Sequence, residues 1–202
     1  MAVISFFPIV HLTLSSAILS GVHGKYLEQL KTFLYPVLQN APPIKFVRCW
    51  RALTDGWGAS TFHNNCDGKG PTVTIIQVGA YIFGGYTDKS WSSSCTSVSS
   101  SKSFIYSLHN VNGYYPFKLQ IKSGHERKAM YTCDSYGPTF GGGHNIYIPN
   151  NAASNRGSYL SCSNSHHLPP GYSTTNSSCD ALFAGSRYFT PTDIEVFYET
   201  RA

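Results

Sequence analysis

Asp55 to Tyr86, DGWGASTFHNNCDGKGPTVTIIQVGAYIFGGY, decides the fold, because turn, helix and hairpin signals crowd into it and agree. Asp55-Gly56 is a turn dipeptide, with Gly58 close behind. Ala59 to Cys66 can close two turns of helix, and Phe62 and Cys66 share the face that should point into a core. Asp67-Gly68-Lys69-Gly70-Pro71 stops that helix and turns the chain. Thr72 to Val78 is rich in β-branched residues, Tyr81 to Tyr86 is apolar and aromatic, and only Gly79-Ala80 separates them. The pair reads as an antiparallel hairpin in which Gly79 supplies the positive φ of a type II′ turn. Gly84-Gly85 marks a bulge or a close approach of another backbone. A phosphate loop is the sharper reading, but no Lys-Ser/Thr pair and no helix start follows.

Downstream, Thr87 to Ser103 carries nine serines around Trp91 and Cys95 and reads as a loop. Lys102 to Leu108 and Tyr114 to Ile121 read as strands joined through the Asn112-Gly113 turn, and Arg127 to Thr132 as another. Gly141-Gly142-Gly143 precede a short alternating strand, Asn145 to Ile148, and let two backbones approach or form a bulge. Residues 149 to 180 are rich in Ser, Asn and Gly and suggest a surface excursion closed by Cys162 and Cys179. In Asp193 to Thr200, Ile194, Val196 and Tyr198 alternate with Glu195, Phe197 and Glu199, as a final strand would. Upstream, Ile44 to Leu53 reads as a strand with Phe46, Arg48, Trp50 and Ala52 on one side, and Lys25 to Leu38 as an amphipathic helix ended by Pro36. Many strands, two short helices and no βαβ rhythm imply a mainly β protein with short helices, a two-sheet antiparallel β-sandwich with the helices at its periphery. At 202 residues the chain suits one domain, expected over 25–202 with a helix at 25–38 and a core at 44–200.

The first 24 residues hold no Lys, Arg, Asp or Glu, and Val22 and Gly24 suit signal-peptidase cleavage before Lys25. Residues 1–24 thus read as a signal peptide and the protein as secreted; an uncleaved, membrane-anchoring segment is the alternative. Six cysteines, Cys49, Cys66, Cys95, Cys133, Cys162 and Cys179, fit disulfides in such a compartment, with 15 connectivities open. Asn176-Ser177-Ser178 is an N-glycosylation acceptor.

Residues able to do chemistry are few. Glu195, in a strand that should be half buried, is the best acid or base, against the plainer reading of a hydrogen-bonded structural Glu. His144 follows the triple glycine, and with His63, Asp55 and Ser60 it makes a triad only on paper, since no Gly-x-Ser-x-Gly and no His-Glu-x-x-His occurs. No Cys-x-x-Cys occurs either, and His63 with Cys66 offers two metal ligands where zinc needs more. No cofactor or metal is expected. The net charge is +5 (15 basic minus 10 acidic), with Lys118, Lys122, Arg127 and Lys128 as a modest basic cluster that could meet an acidic glycan or phospholipid surface. Nucleic acid would want a denser stripe.

The run from Asp55 to Trp91, with Phe104 to Leu108, YGPTFGGGHNIYI from Tyr136 to Ile148, and FTPTDIEVFY from Phe189 to Tyr198, resembles the TLDc domain of oxidation-resistance proteins in block order. That resemblance implies the sandwich, a partner-binding module without a catalytic centre, and a family link to resistance against oxidative stress. It also implies engagement of the vacuolar proton pump in intracellular members, a cytosolic partner that a secreted copy would not meet. Paired cysteines would leave no thiol for scavenging oxidants. The expected function is therefore a secreted module that binds an extracellular protein or glycan; the competing one is an extracellular hydrolase or lyase using Glu195 and His144.

Overall fold

The structure, a computed structural model, describes residues 12–161, 165–167 and 178–201. In chain order the strands are β1 (Leu12–Leu14), β2 (Ile44–Arg51), β3 (Thr72–Val78), β4 (Tyr81–Thr87), β5 (Thr96–Val98), β6 (Phe104–His109), β7 (Phe117–Gln120), β8 (Met130–Thr132), β9 (Thr139–Phe140), β10 (Ile146–Tyr147), β11 (Ser158–Leu160), β12 (Tyr188–Phe189) and β13 (Asp193–Arg201). The α-helices are α1 (Lys25–Leu34), α2 (Ala52–Asp55), α3 (Ala59–Cys66) and α4 (Ser178–Ala181). A seven-stranded sheet runs β1-β2-β13-β3-β4-β6-β7, and a six-stranded sheet runs β12-β11-β10-β9-β8-β5. The fold is mainly β and sandwich-like; β1 and β2 pair in parallel, whereas antiparallel pairing alone was expected.

The quoted stretch folds as its residues dictate. Phe62 and Cys66 of α3 are fully buried. Val78 pairs with Tyr81 across the two-residue turn, where Gly79 sits at φ 56. A Cβ on Gly84 would lie 1.9 Å from the Thr74 carbonyl oxygen, and one on Gly85 would lie 2.7 Å from the Phe140 ring. The paired glycines therefore let the two sheets and the Tyr106 hydroxyl close on β4.

Both faces of the seven-stranded sheet are covered, so neighbouring residues of β3 are buried in succession. On one face Ile76, Phe83, Ile105 and Ile194 meet Phe140, Ile146 and Leu160 of the second sheet. On the other, Val73, Ile75, Phe104 and Tyr106 meet α1 and the segment before it. This second layer alters two expectations. Phe46, Arg48, Trp50 and Ala52 do not share one side: β2 and β13 shift register between Val196 and Phe197, so Trp50 joins the intersheet core while Phe46 joins the helix-side core. The bulge re-aims the strand's side chains midway.

The folded body also extends upstream of Lys25. Leu12, Leu14, Ile18 and Leu19 are buried in the helix-side core, and β1 pairs with Ile44, Lys45 and Phe46. Cleavage before Lys25 would strip an edge strand and four core side chains from the domain.

The serine-rich loop contains β5, which pairs with β8, and residues 149–180 contain β11. Within Arg127 to Thr132 only Met130–Thr132 is strand, preceded by a 3-10 turn at Glu126–Lys128. Strands of three residues are too short to show period-two alternation against a serine-rich background.

Candidate functional site

Glu195, the third residue of β13, has no solvent exposure. Its carboxylate accepts from the Ser16 hydroxyl at 2.5 Å, from the Ala17 and Ile18 amides at 3.2 Å each, and from Arg48 Nη1 at 3.1 Å. Arg51 stands 4.0 Å away and is paired with Asp193 at 2.8 Å, an interaction that raises the guanidinium's pKa. The turn from Ser16 to Leu19 is closed by the Leu19 amide on the Ser16 oxygen. Every partner of Glu195 is thus a fixed donor, which is how a buried carboxylate is kept in a fold.

His144 is elsewhere. It follows the glycine triplet at φ 59, and Gly141 and Gly143 also take positive φ, so the triplet makes a tight turn. A Cβ on Gly141 would fall 1.9 Å from Asn145 Oδ1, showing what the first glycine makes room for. No described contact joins His144 to Glu195, and the two share no partner. The paper triad also separates. His63 is buried between Asp67 at 2.7 Å and the Cys133 carbonyl at 2.7 Å, and Asp55 accepts from the Arg51 amide.

Cys49 is bonded to Cys66 and Cys95 to Cys133. The Cys66 sulfur considered with His63 for a metal is thus committed to a disulfide. Cys95, Cys133 and Asp134 are the one cluster of ligand type among the described residues, and two of the three are that second bridge. Cys162, the Cys179 side chain and Asn176 lie outside the described residues. The basic cluster is not one surface: Lys118 donates to the Phe33 carbonyl, sits 4.9 Å from the Phe104 ring centroid, and has its pKa lowered by burial.

What sequence reasoning missed is the outer face of the six-stranded sheet. Within β10 and β11 inward residues such as Ile146, Ser158 and Leu160 are buried, while Tyr147 and Tyr159 point outward and are half-buried. Tyr147 is directly opposite Tyr159, and Tyr159 directly opposite Tyr188. Their ring centroids are 4.9 Å and 6.2 Å apart. His144 stacks on Tyr147 at 5.4 Å and 9°, and its Nδ1 meets the Tyr159 hydroxyl at 3.2 Å. Tyr136 packs edge-on against Tyr147 at 4.9 Å, and Tyr131 lies 5.2 Å from His144. Six rings thus form one continuous, partly exposed face, with Arg187 over Tyr188 at its edge.

Burial lowers the pKa of His144, so its ring is neutral near pH 7. Burial likewise raises Tyr147 and Tyr159, with neighbouring phenols adding to the effect. The face is therefore uncharged, flat and able to hydrogen-bond, the chemistry enriched where proteins dock.

Beyond these contacts, no match to a curated protein is found. The sequence model of the TLDc domain, in contrast, matches residues 15–199, almost the whole folded body and including the turn that holds Glu195. A match of that extent, on a two-sheet fold with the four quoted blocks in place, shows that the chain belongs to the TLDc domain family.

Proposed function

We propose that the chain is a non-catalytic binding domain whose docking face is the Tyr131, Tyr136, His144, Tyr147, Tyr159 and Tyr188 surface. One observation carries this reading: six aromatic rings lie in mutual contact on the outside of a sheet, partly open to solvent. Rigid aromatic side chains offer a large contact area at little cost in conformational entropy. The alternative acid and base are separated, Glu195 being enclosed by the Ser16 turn and Arg48.

The two bridges support an oxidising compartment, the coarse part of the secreted reading. None of the described helices is long and apolar enough to cross a membrane. In this reading residues 12–24 stay with the domain wherever it acts. The family-level link to oxidative-stress resistance then operates through a bound partner, since the described cysteines have no free thiol.

Placing a photo-crosslinking phenylalanine analogue at position 188, and separately at Tyr35 as an exposed control on the opposite layer, tests the assignment. Adducts of defined mass with one protein from position 188 alone support it. Equal yields at both positions, or a glycan as the captured species, would replace it.

A further inference from the structure

A concave site lies on the helix side, lined by none of the residues of the tyrosine face. The first turn of α1 and the connection from β6 to β7 enclose a cleft of about 440 Å³, within the range of small-molecule pockets. Its aromatic lining is Tyr26 beside His109, ring centroids 5.9 Å apart at 21°, and His23 lies near-parallel to Tyr26 at 6.3 Å and 22°. Tyr114, Tyr115 and Pro116 form the opposite wall. That wall is built in advance. The buried Asn110 side chain donates to the Tyr114 carbonyl and accepts the Tyr114 amide, and the Val111 amide donates to Leu182, tying the loop to the core.

Polarity is one-sided. Lys25 contributes an ammonium 5.0 Å from the Tyr26 centroid, and no carboxylate lines the cleft. The nearby Glu28 is engaged by Lys31 at 2.8 Å. His109 holds the Ala80 carbonyl through Nδ1 at 2.8 Å; since a carbonyl only accepts, Nδ1 carries a proton in that contact. In the connection from β6 to β7, Val111, Tyr114 and Tyr115 are exposed by 43%, 47% and 93%, and the two tyrosines line the cleft.

We propose that this cleft binds a small, flat aromatic anion, its ring against Tyr26 and His109 and its acid group against Lys25. The aromatic lining selects flatness, and the single ammonium selects negative charge.

NMR titration of the whole chain with 2-naphthoate, and with 2-naphthylmethanol as the uncharged match, tests it. The expected result is saturable shifts confined to amides of residues 25–29 and 108–116, with the carboxylate bound about tenfold tighter, the ~1.4 kcal/mol of one useful charge contact. Lys25→Gln, at an exposed position that leaves the fold intact, should remove that tenfold preference and retain the weaker binding of the alcohol. Tyr26→Leu should weaken both compounds. Shifts absent at millimolar ligand, shifts scattered over the surface, or equal affinities unchanged by Lys25→Gln would overturn the proposal.

Discussion

Ser16 donates its hydroxyl to Glu195 across a separation of 179 residues, at 2.5 Å and out of contact with water. The contact ties the turn ahead of α1 to the first half of β13, and Arg48 completes the carboxylate's set from β2.

Glu195→Ala leaves the buried Ser16 hydroxyl and Ile18 amide, the Ala17 amide and a guanidinium without their acceptor, so it should destabilise the protein by about 3–5 kcal/mol. Ser16→Ala should cost about 1–2 kcal/mol, because the remaining donors stay in place. Urea unfolding at pH 7 measures both. A chain beginning at Lys25 should lose at least as much as Glu195→Ala, and a cooperative transition of undiminished midpoint would show that residues 12–24 contribute nothing.

The two described disulfides should open in order. Cys95 is exposed, whereas Cys66 has no accessible surface, so a thiol reductant reaches the Cys95–Cys133 bridge first. Differential alkylation followed by mass spectrometry should find residues 95 and 133 labelled before 49 and 66. Loss of the Cys49–Cys66 bridge, whose sequence separation is 17, should cost about 3 kcal/mol through the freedom returned to the unfolded chain.

Gly84→Ala should be among the most damaging single-methyl changes, since the added carbon meets backbone at 1.9 Å and backbone cannot rotate away. A loss of about 3 kcal/mol or more, at the upper end for overpacking, is expected in the same urea assay. Gly113→Ala, with open space but φ 67, should cost only about 1 kcal/mol.

His166 is buried, accepts no hydrogen bond at Nε2 among the described residues, and has its pKa pushed down to about 3, first by burial and then by His167 and Lys122. A histidine with a depressed folded pKa contributes stability that is fully present above its unfolded pKa of about 6.5 and lost as pH falls toward the folded value. Each pH unit within that window should remove ~1.4 kcal/mol. The His166 ring resonances should stay unshifted from pH 8 to pH 4.5; a midpoint near 6.5 would refute the assignment.

Much of the fold was legible because its signals are local. Gly79-Ala80 and the β-branched Thr72 to Val78 need no distant partner to specify a hairpin. The register shift opposite Val196 and Phe197 depends on pairing between β2 and β13, which no short window displays. The uncharged first residues suit a leader and a buried strand equally, since both require apolar side chains. What separates them is alternation: Leu12, Leu14, Ser16 and Ile18 are buried, while Thr13, Ser15 and Ala17 are exposed. The tyrosine face escaped because four of its rings, Tyr131, Tyr147, Tyr159 and Tyr188, come from strands of two or three residues with one outward position each, and Tyr136 and His144 lie outside the strands. His144 and Glu195 lie apart, one on an aromatic face and one in a buried network, and no described contact joins them.

The insertion of β13 between β2 and β3 has a consequence for biogenesis. During synthesis β2 and β3 emerge long before the strand that separates them, each offering an unpaired row of amides and carbonyls. The central sheet is therefore knit only after residues 193–201 leave the ribosome, and the nascent domain passes through an interval in which premature pairing of β2 with β3 must be held off.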